Sequence, residues 1–175
     1  MTDRSFPEAL NKQIANEFGA SQQYIGAAVF YDQQTLPRLA AFFYRQAAEE
    51  RDHAMMMIQY LIDVSEPVAI PEVAAAESRY DTVIDPVRMA LEQEKTVGAE
   101  IYALFELARE TKDYRGEQFM QWFVKEQVEE VALMSDLINV TESAADSPLL
   151  IEDYLAREGL GAESEDPTAP PIAGR

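Results

Sequence analysis

Cysteine is absent from this chain of 175 residues, and histidine occurs once. Without thiols there are neither disulfides nor thiolate metal sites, so any metal must be held by carboxylate, amide and the single imidazole. Glycine is scarce, at 7 residues, and runs in which β-branched and polar residues alternate are missing, which disfavours strands and leaves helix as the expectation. There is no apolar run of membrane-spanning length and no basic-then-apolar leader at the start, so the expectation is a soluble, cytoplasmic protein with no membrane partner. Positive charge is also short. Against 32 acidic residues stand 14 basic ones, a formal charge of −18 that repels phosphate backbones and argues against a nucleic-acid partner.

The length fits one domain with a single sizeable core. Helical periodicity runs from about Phe6 to Gln33 and, after Leu36-Pro37, from about Arg38 to Val64. Residues 65–81 contain Pro67 and Pro71 and little periodicity, which makes them the one long internal connection. A third run starts near Thr82, with Asp81 or Thr82 as the expected cap and Pro86 in the first turn, and reaches about Thr111. A fourth spans about Asp113 to Val140, and a short fifth spans Leu149 to Arg157 before Gly159. Four long helices with a single long connection between the second and third predict an all-α, ferritin-like four-helix bundle with a crossover and a short fifth helix. Residues 1–160 form that domain in this reading, and 161–175 form a disordered C-terminal tail.

Packed helices share a seam that advances by steps of three and four. The first seam reads Leu10, Ile14, Glu17, Ser21, Tyr24, Ala28, Tyr31; the second Leu39, Phe43, Gln46, Glu50, His53, Met57, Tyr60, Val64. The third reads Val83, Val87, Ala90, Glu94, Val97, Ile101, Leu104, Ala108, and the fourth Met120, Phe123, Gln127, Glu130, Met134, Leu137. Each has a carboxylate in its middle and none has Lys or Arg. One such Glu is ordinary, because a helix drifts against a strict repeat and an edge carboxylate reaches water. Four at one level are not, since burying unpaired carboxylates together is costly and makes each harder to ionise. A divalent cation supplies the missing charge. Glu50 and His53, three apart on one face, can meet the same ion, and a sulfur-free carboxylate and imidazole set suits Fe(II), Mn(II) or Zn(II).

Five separated segments then carry a resemblance: Glu17-Phe18 with Gln22-Gln23-Tyr24; Glu49-Glu50-Arg51-Asp52-His53-Ala54; Leu91-Glu92-Gln93-Glu94; Gly116 to Phe123; and Glu126-Gln127-Val128-Glu129-Glu130. Over roughly residues 5–157 the chain resembles the non-haem bacterial ferritins, particularly those of actinobacteria. The resemblance implies that Glu17 and His53 bind one iron, Glu94 a second, and Glu50 bridges them, with Gln127 beside the second. It implies a third iron position among Glu49, Glu126, Glu129 and Glu130, and places Tyr24 and Trp122 close to the centre. By the same resemblance Fe(II) is oxidised by O2 or hydrogen peroxide, Fe(III) is mineralised inside a homo-oligomeric shell of about twenty-four subunits, and Glu117 is a channel residue. The chain departs from the haem-binding bacterioferritins. Arg51 stands where their haem-ligating Met follows the bridging Glu, and Gln127 to Glu130 replaces their second Glu-x-x-His, so no haem is expected. Met55, Met56 and Met57 are read as packing residues. Phe30, Tyr31 and Tyr60 are expected in contacts between subunits. Two rival readings are a di-iron oxygenase with a substrate cavity and a non-catalytic helical assembly protein whose acidic seams face water.

Overall fold

The computed structural model describes residues 5–159 and 166–175, and its elements are α1 (Phe6–Gln33), α2 (Pro37–Asp63), α3 (Asp85–Glu110), α4 (Tyr114–Ser143) and α5 (Pro148–Glu158). Proline opens four of the five. Pro7, Pro37, Pro86 and Pro148 lie in first turns, where the missing N–H costs nothing and the fixed φ favours the helix. A reciprocal capping box between Ser5 and Glu8 begins α1, and Asp113 caps α4 through Gly116 N. The helix α2 has no cap of its own. Glu152 of α5 supplies one, accepting from Arg38 N at 2.8 Å and Leu39 N at 2.9 Å. The expected cap of α3 at Asp81 or Thr82 is replaced: the helix begins at Asp85, whose carboxylate accepts from Thr82 N at 2.7 Å, so it is the helix that holds the loop. The left-handed Gly159 closes α5.

Short turns make α1 and α2, and α3 and α4, antiparallel pairs. Between the pairs the chain from Val64 to Ile84 runs along α1: the Asn11 side chain bonds Pro67 O and Ala69 N, Gln22 bonds Ala74 O, Gln23 bonds Glu77 O, and Tyr31 bonds Val83 O. Rising numbers on both partners show the crossover running the length of the bundle, so that α3 starts beside the end of α1 and descends against it. Gly26 permits this approach, because a Cβ there would collide with Glu77 O. Phe30 and Tyr31 lie inside the chain. Phe30 packs edge-on against Tyr80 of the crossover and Tyr31 stacks on Phe43, so these rings belong to the core rather than to contacts between subunits; Tyr60 stacks on Phe119.

The core is two apolar clusters with a polar layer between them. One cluster takes Tyr24 to Tyr31 of α1, Leu39 to Ala47 of α2, Val87 and Ala90 of α3, and Met134 and Leu137 of α4. The other takes Phe6 to Ile14, Ala54 to Leu61, Val97 to Ala108, and Met120 and Phe123. The residues skipped in both are those of the four seam centres. Among the described residues no Lys or Arg is buried, and no helix is long and apolar enough to cross a membrane.

Residues 166–175 depart from the expected disordered tail. They lie against α2 and α4, with Ala169, Ile172 and Ala173 packed on the second cluster and Ala173 N donating to Met55 O at 3.2 Å. Residues 161–165 of that expectation lie outside the described residues.

Candidate metal centre

Seam spacing carries Glu17 of α1, Glu50 and His53 of α2, Glu94 of α3, and Gln127 and Glu130 of α4 to the same level of the bundle, and all six are buried. Glu17, Glu50 and His53 each bring a donor atom to within 4.8 Å of the others. Glu50 Oε2 lies 3.4 Å from His53 Nδ1 but accepts no hydrogen bond, and Glu17 Oε2 and Glu130 Oε2 are likewise buried without a donor. Carboxylate oxygens so placed need a cation or a proton.

The second side of the layer is tied more tightly. Glu94 accepts from the Tyr24 hydroxyl at one oxygen, and from Gln127 Nε2 at the other at 2.7 Å. Gln127 Nε2 also reaches Glu94 O at 3.0 Å, so the Gln127 side chain orients Glu94 in this arrangement. Burial pushes the carboxyls of Glu17, Glu50 and Glu130 well above the usual carboxylate range, and raises that of Glu94; neighbouring carboxylates add to the effect at Glu17, Glu50 and Glu130. Desolvation with like charge nearby is unfavourable to these carboxylates, and a bound cation would relieve it.

Glu49 and the half-buried Glu126 place carboxylate oxygens within the same 4.8 Å limit of His53, while Glu130 feels the charges of Glu49, Glu94 and Glu126. Glu129 is not brought to them. It is exposed and lies 3.6 Å from Lys125 Nζ, and Glu117 lies 3.4 Å from Arg109 Nε. Trp122 meets the His53 ring edge-on with centroids 5.6 Å apart. The sequence reading missed Gln13, which is buried and donates to Glu17 Oε1 at 2.9 Å. The signal was its position four residues before Glu17, on a face flanking the seam. Gln46 stood in the second seam without a role; its Nε2 donates to Glu49 at 2.7 Å and its buried Oε1 has no donor.

Residues 7–144 match the Ferritin-like domain family. The chain is a member of the ferritin family. Its relatives include the ferritin BfrB of Mycolicibacterium smegmatis, 49% identical over 172 residues that cover 98% of this chain and 94% of the relative. The bacterial non-heme ferritin of Staphylococcus aureus is 34% identical, covering 95% of this chain and 99% of the relative. Among solved structures, an open-pore ferritin from the archaeon Archaeoglobus fulgidus superposes with a TM-score of 0.85 at 27% identity, over 91% of this chain and 97% of that one. Family membership supports iron storage for this ferritin, and the Glu17, Glu50 and His53 group is one that could hold a metal ion.

Proposed function

We propose that this ferritin is a ferroxidase: each subunit oxidises Fe(II) to Fe(III) at its own di-iron centre, and a closed, cytoplasmic shell of about twenty-four copies stores the product as mineral. One observation carries the reading. Four carboxylates from four helices, Glu17, Glu50, Glu94 and Glu130, are buried at one level with the chain's only His and, among the described residues, with no buried Lys or Arg to balance them. Two ferrous ions balance that charge. Glu17 and His53 hold the first, Glu94 holds the second, and Glu50 lies between them. Oxygen anions bind Fe(III) more strongly than Fe(II), so the donor set favours the oxidised product.

The chain's own groups do the positioning. Gln13 fixes Glu17, while Tyr24 and Gln127 fix the two oxygens of Glu94, so the carboxylates are aimed before iron arrives. Each Fe(II) gives up one electron, and the pair reduces O2 to hydrogen peroxide, with two protons taken up, or reduces hydrogen peroxide to water. Glu49, Glu126 and Glu130 form a third position beside the pair, with the exposed Glu129 further out as an attracting charge.

Light scattering coupled to size exclusion, before and after aerobic addition of Fe(II) to chelator-stripped protein, tests this function. The expected result is one very large assembly with which the added iron co-elutes as Fe(III). A stable monomer or dimer at micromolar concentration rules out the shell, and iron left free in the low-mass fractions rules out storage.

A further inference from the structure

The C-terminal residues 166–175 cross from α4 to α2 over the helical turns that carry Glu126 and His53. At one end Asp166 Oδ2 accepts from the Trp122 indole Nε1 at 3.0 Å and lies 3.3 Å from Lys125 Nζ. Its other oxygen is held by the backbone N of Thr168 at 2.8 Å and the Thr168 hydroxyl at 2.6 Å. At the far end the Arg175 guanidinium lies 3.0 Å from Asp52, and Ala173 N donates to Met55 O. The anchors therefore bracket the centre: residues 52 and 55 stand on either side of His53, and residues 122 and 125 belong to the turn that leads into Glu126.

Of these ties, the ion pairs of Lys125 and Arg175 involve exposed side chains and contribute little. The indole bond is different. Trp122 is partly buried, it has a single N–H to donate, and Asp166 gives that donor a charged acceptor. The indole lies against the His53 ring in a T-shaped contact, with ring planes at 75°, and Phe123 meets the same imidazole with centroids 5.7 Å apart. Trp122 and Phe123 also meet each other at 5.0 Å and 89°. The imidazole is thus set in a corner of two aromatic rings, and the position of one of those rings depends on a carboxylate from the C-terminal segment. A metal-ligating imidazole binds well only when its ring is held in place from outside.

We propose that Asp166 is a positioning residue for the iron centre: by anchoring the Trp122 indole N–H it fixes the aromatic wall that holds the His53 ring. The proposal rests on the reading of His53 as an iron ligand. Asp166 touches neither iron nor oxidant and acts through Trp122 alone. The hydrogen bonds from Thr168, and then that from Trp122, keep its carboxyl well below the usual range, so it stays an anion at neutral pH.

Trp122 is the only tryptophan of the chain, so its spectra report this one bond. The test uses assembled full-length protein in five forms: wild type, Asp166→Ala, Asp166→Asn, Trp122→Phe and the double variant Asp166→Ala/Trp122→Phe, each checked for shell size by light scattering. Two quantities are read: the indole N–H hydrogen-bond band in ultraviolet resonance Raman, and the rate of the first Fe(II) turnover at two irons per subunit. Asp166→Ala is expected to lose the bonded indole band and to slow the first turnover about tenfold with the shell intact. Trp122→Phe, which keeps a ring but has no N–H, should slow it similarly, and adding Asp166→Ala to Trp122→Phe should cause no further loss. Asp166→Asn, which retains an oxygen acceptor, should restore both band and rate. Wild-type rates in Asp166→Ala despite a lost band would overturn the proposal, as would a bonded band that survives in Asp166→Ala or an additive double variant. If the wild type itself has no fast first turnover, the ferroxidase reading fails; the Raman band still decides whether Asp166 holds Trp122.

Discussion

At the scale of the residue, the buried carboxylates of the polar layer act against the fold and for the site. Glu50 is enclosed, faces Glu94 and Glu130, and has one oxygen without a donor. In chelator-treated protein, Glu50→Gln keeps the shape and removes the charge. It is expected to raise the thermal midpoint by roughly 2–4 °C per kcal/mol of relieved desolvation, as differential scanning calorimetry would show. With Zn(II) present the order should reverse, because wild type gains binding energy that the amide variant lacks. A midpoint lowered by the substitution in the absence of metal would mean that Glu50 is stabilised by protein groups. Asp166 is the opposite case, a carboxyl whose folded-state value is depressed by its hydrogen bonds. Its contribution to C-terminal docking is present above the ordinary Asp value of about 3.9 and is lost as pH falls through the lower folded value. The bonded indole band of Trp122 should therefore be unchanged between pH 7 and about pH 4; loss of half the band near the ordinary Asp value would contradict this.

At the scale of the element, α1 and α4 carry their own caps, whereas α2 is held by a residue placed elsewhere in the sequence. Its first N–H groups have no local cap, and Glu152 reaches them from α5. Glu152→Ala should cost about 0.5–2 kcal/mol in chemical denaturation, and Glu152→Gln should recover part of it, with iron oxidation unchanged in both. A loss of oxidation without a loss of stability would give α5 a role in the centre. Such ties across the chain also mark the limit of what a sequence shows. The ranges of α1 and α5, the crossover and the seam positions of Glu17, Glu50, His53, Glu94, Gln127 and Glu130 follow from periodicity and punctuation, which are local. The capping of α2 by Glu152 and the burial of Phe30 under Tyr80 depend on chain segments that meet only in the fold. Gln13 was missed because strict stepping along one seam passes over a flanking position that also turns inward. The C-terminal segment was misread for a similar reason: with no helical period, its docking depends on Asp166, Ala173 and Arg175 meeting particular partners on α2 and α4.

At the scale of the whole molecule, two apolar clusters fasten the ends of the bundle and leave the middle for charge. The ends supply the apolar burial that stabilises the subunit, at about 25 cal/mol per Å2 of apolar surface, and this burial tolerates an unfavourable polar layer between them. The layer is then free for the group of Glu17, Glu50 and His53, which could hold a metal ion. The same division predicts that variants in the layer change iron chemistry and leave the shell standing. The most direct test mixes anaerobic Fe(II)-loaded protein with O2 in a stopped-flow instrument, at two irons per subunit, for wild type, His53→Ala and Glu130→Ala, all confirmed as intact shells. His53 is the only imidazole of the chain and lies with Glu17 and Glu50, whereas Glu130 belongs to the adjoining carboxylate group. Fast formation of the early ferric absorbance in wild type and Glu130→Ala, with His53→Ala slow or silent, is the predicted result. Equal rates in His53→Ala and wild type would place the oxidation outside this layer and contradict the account.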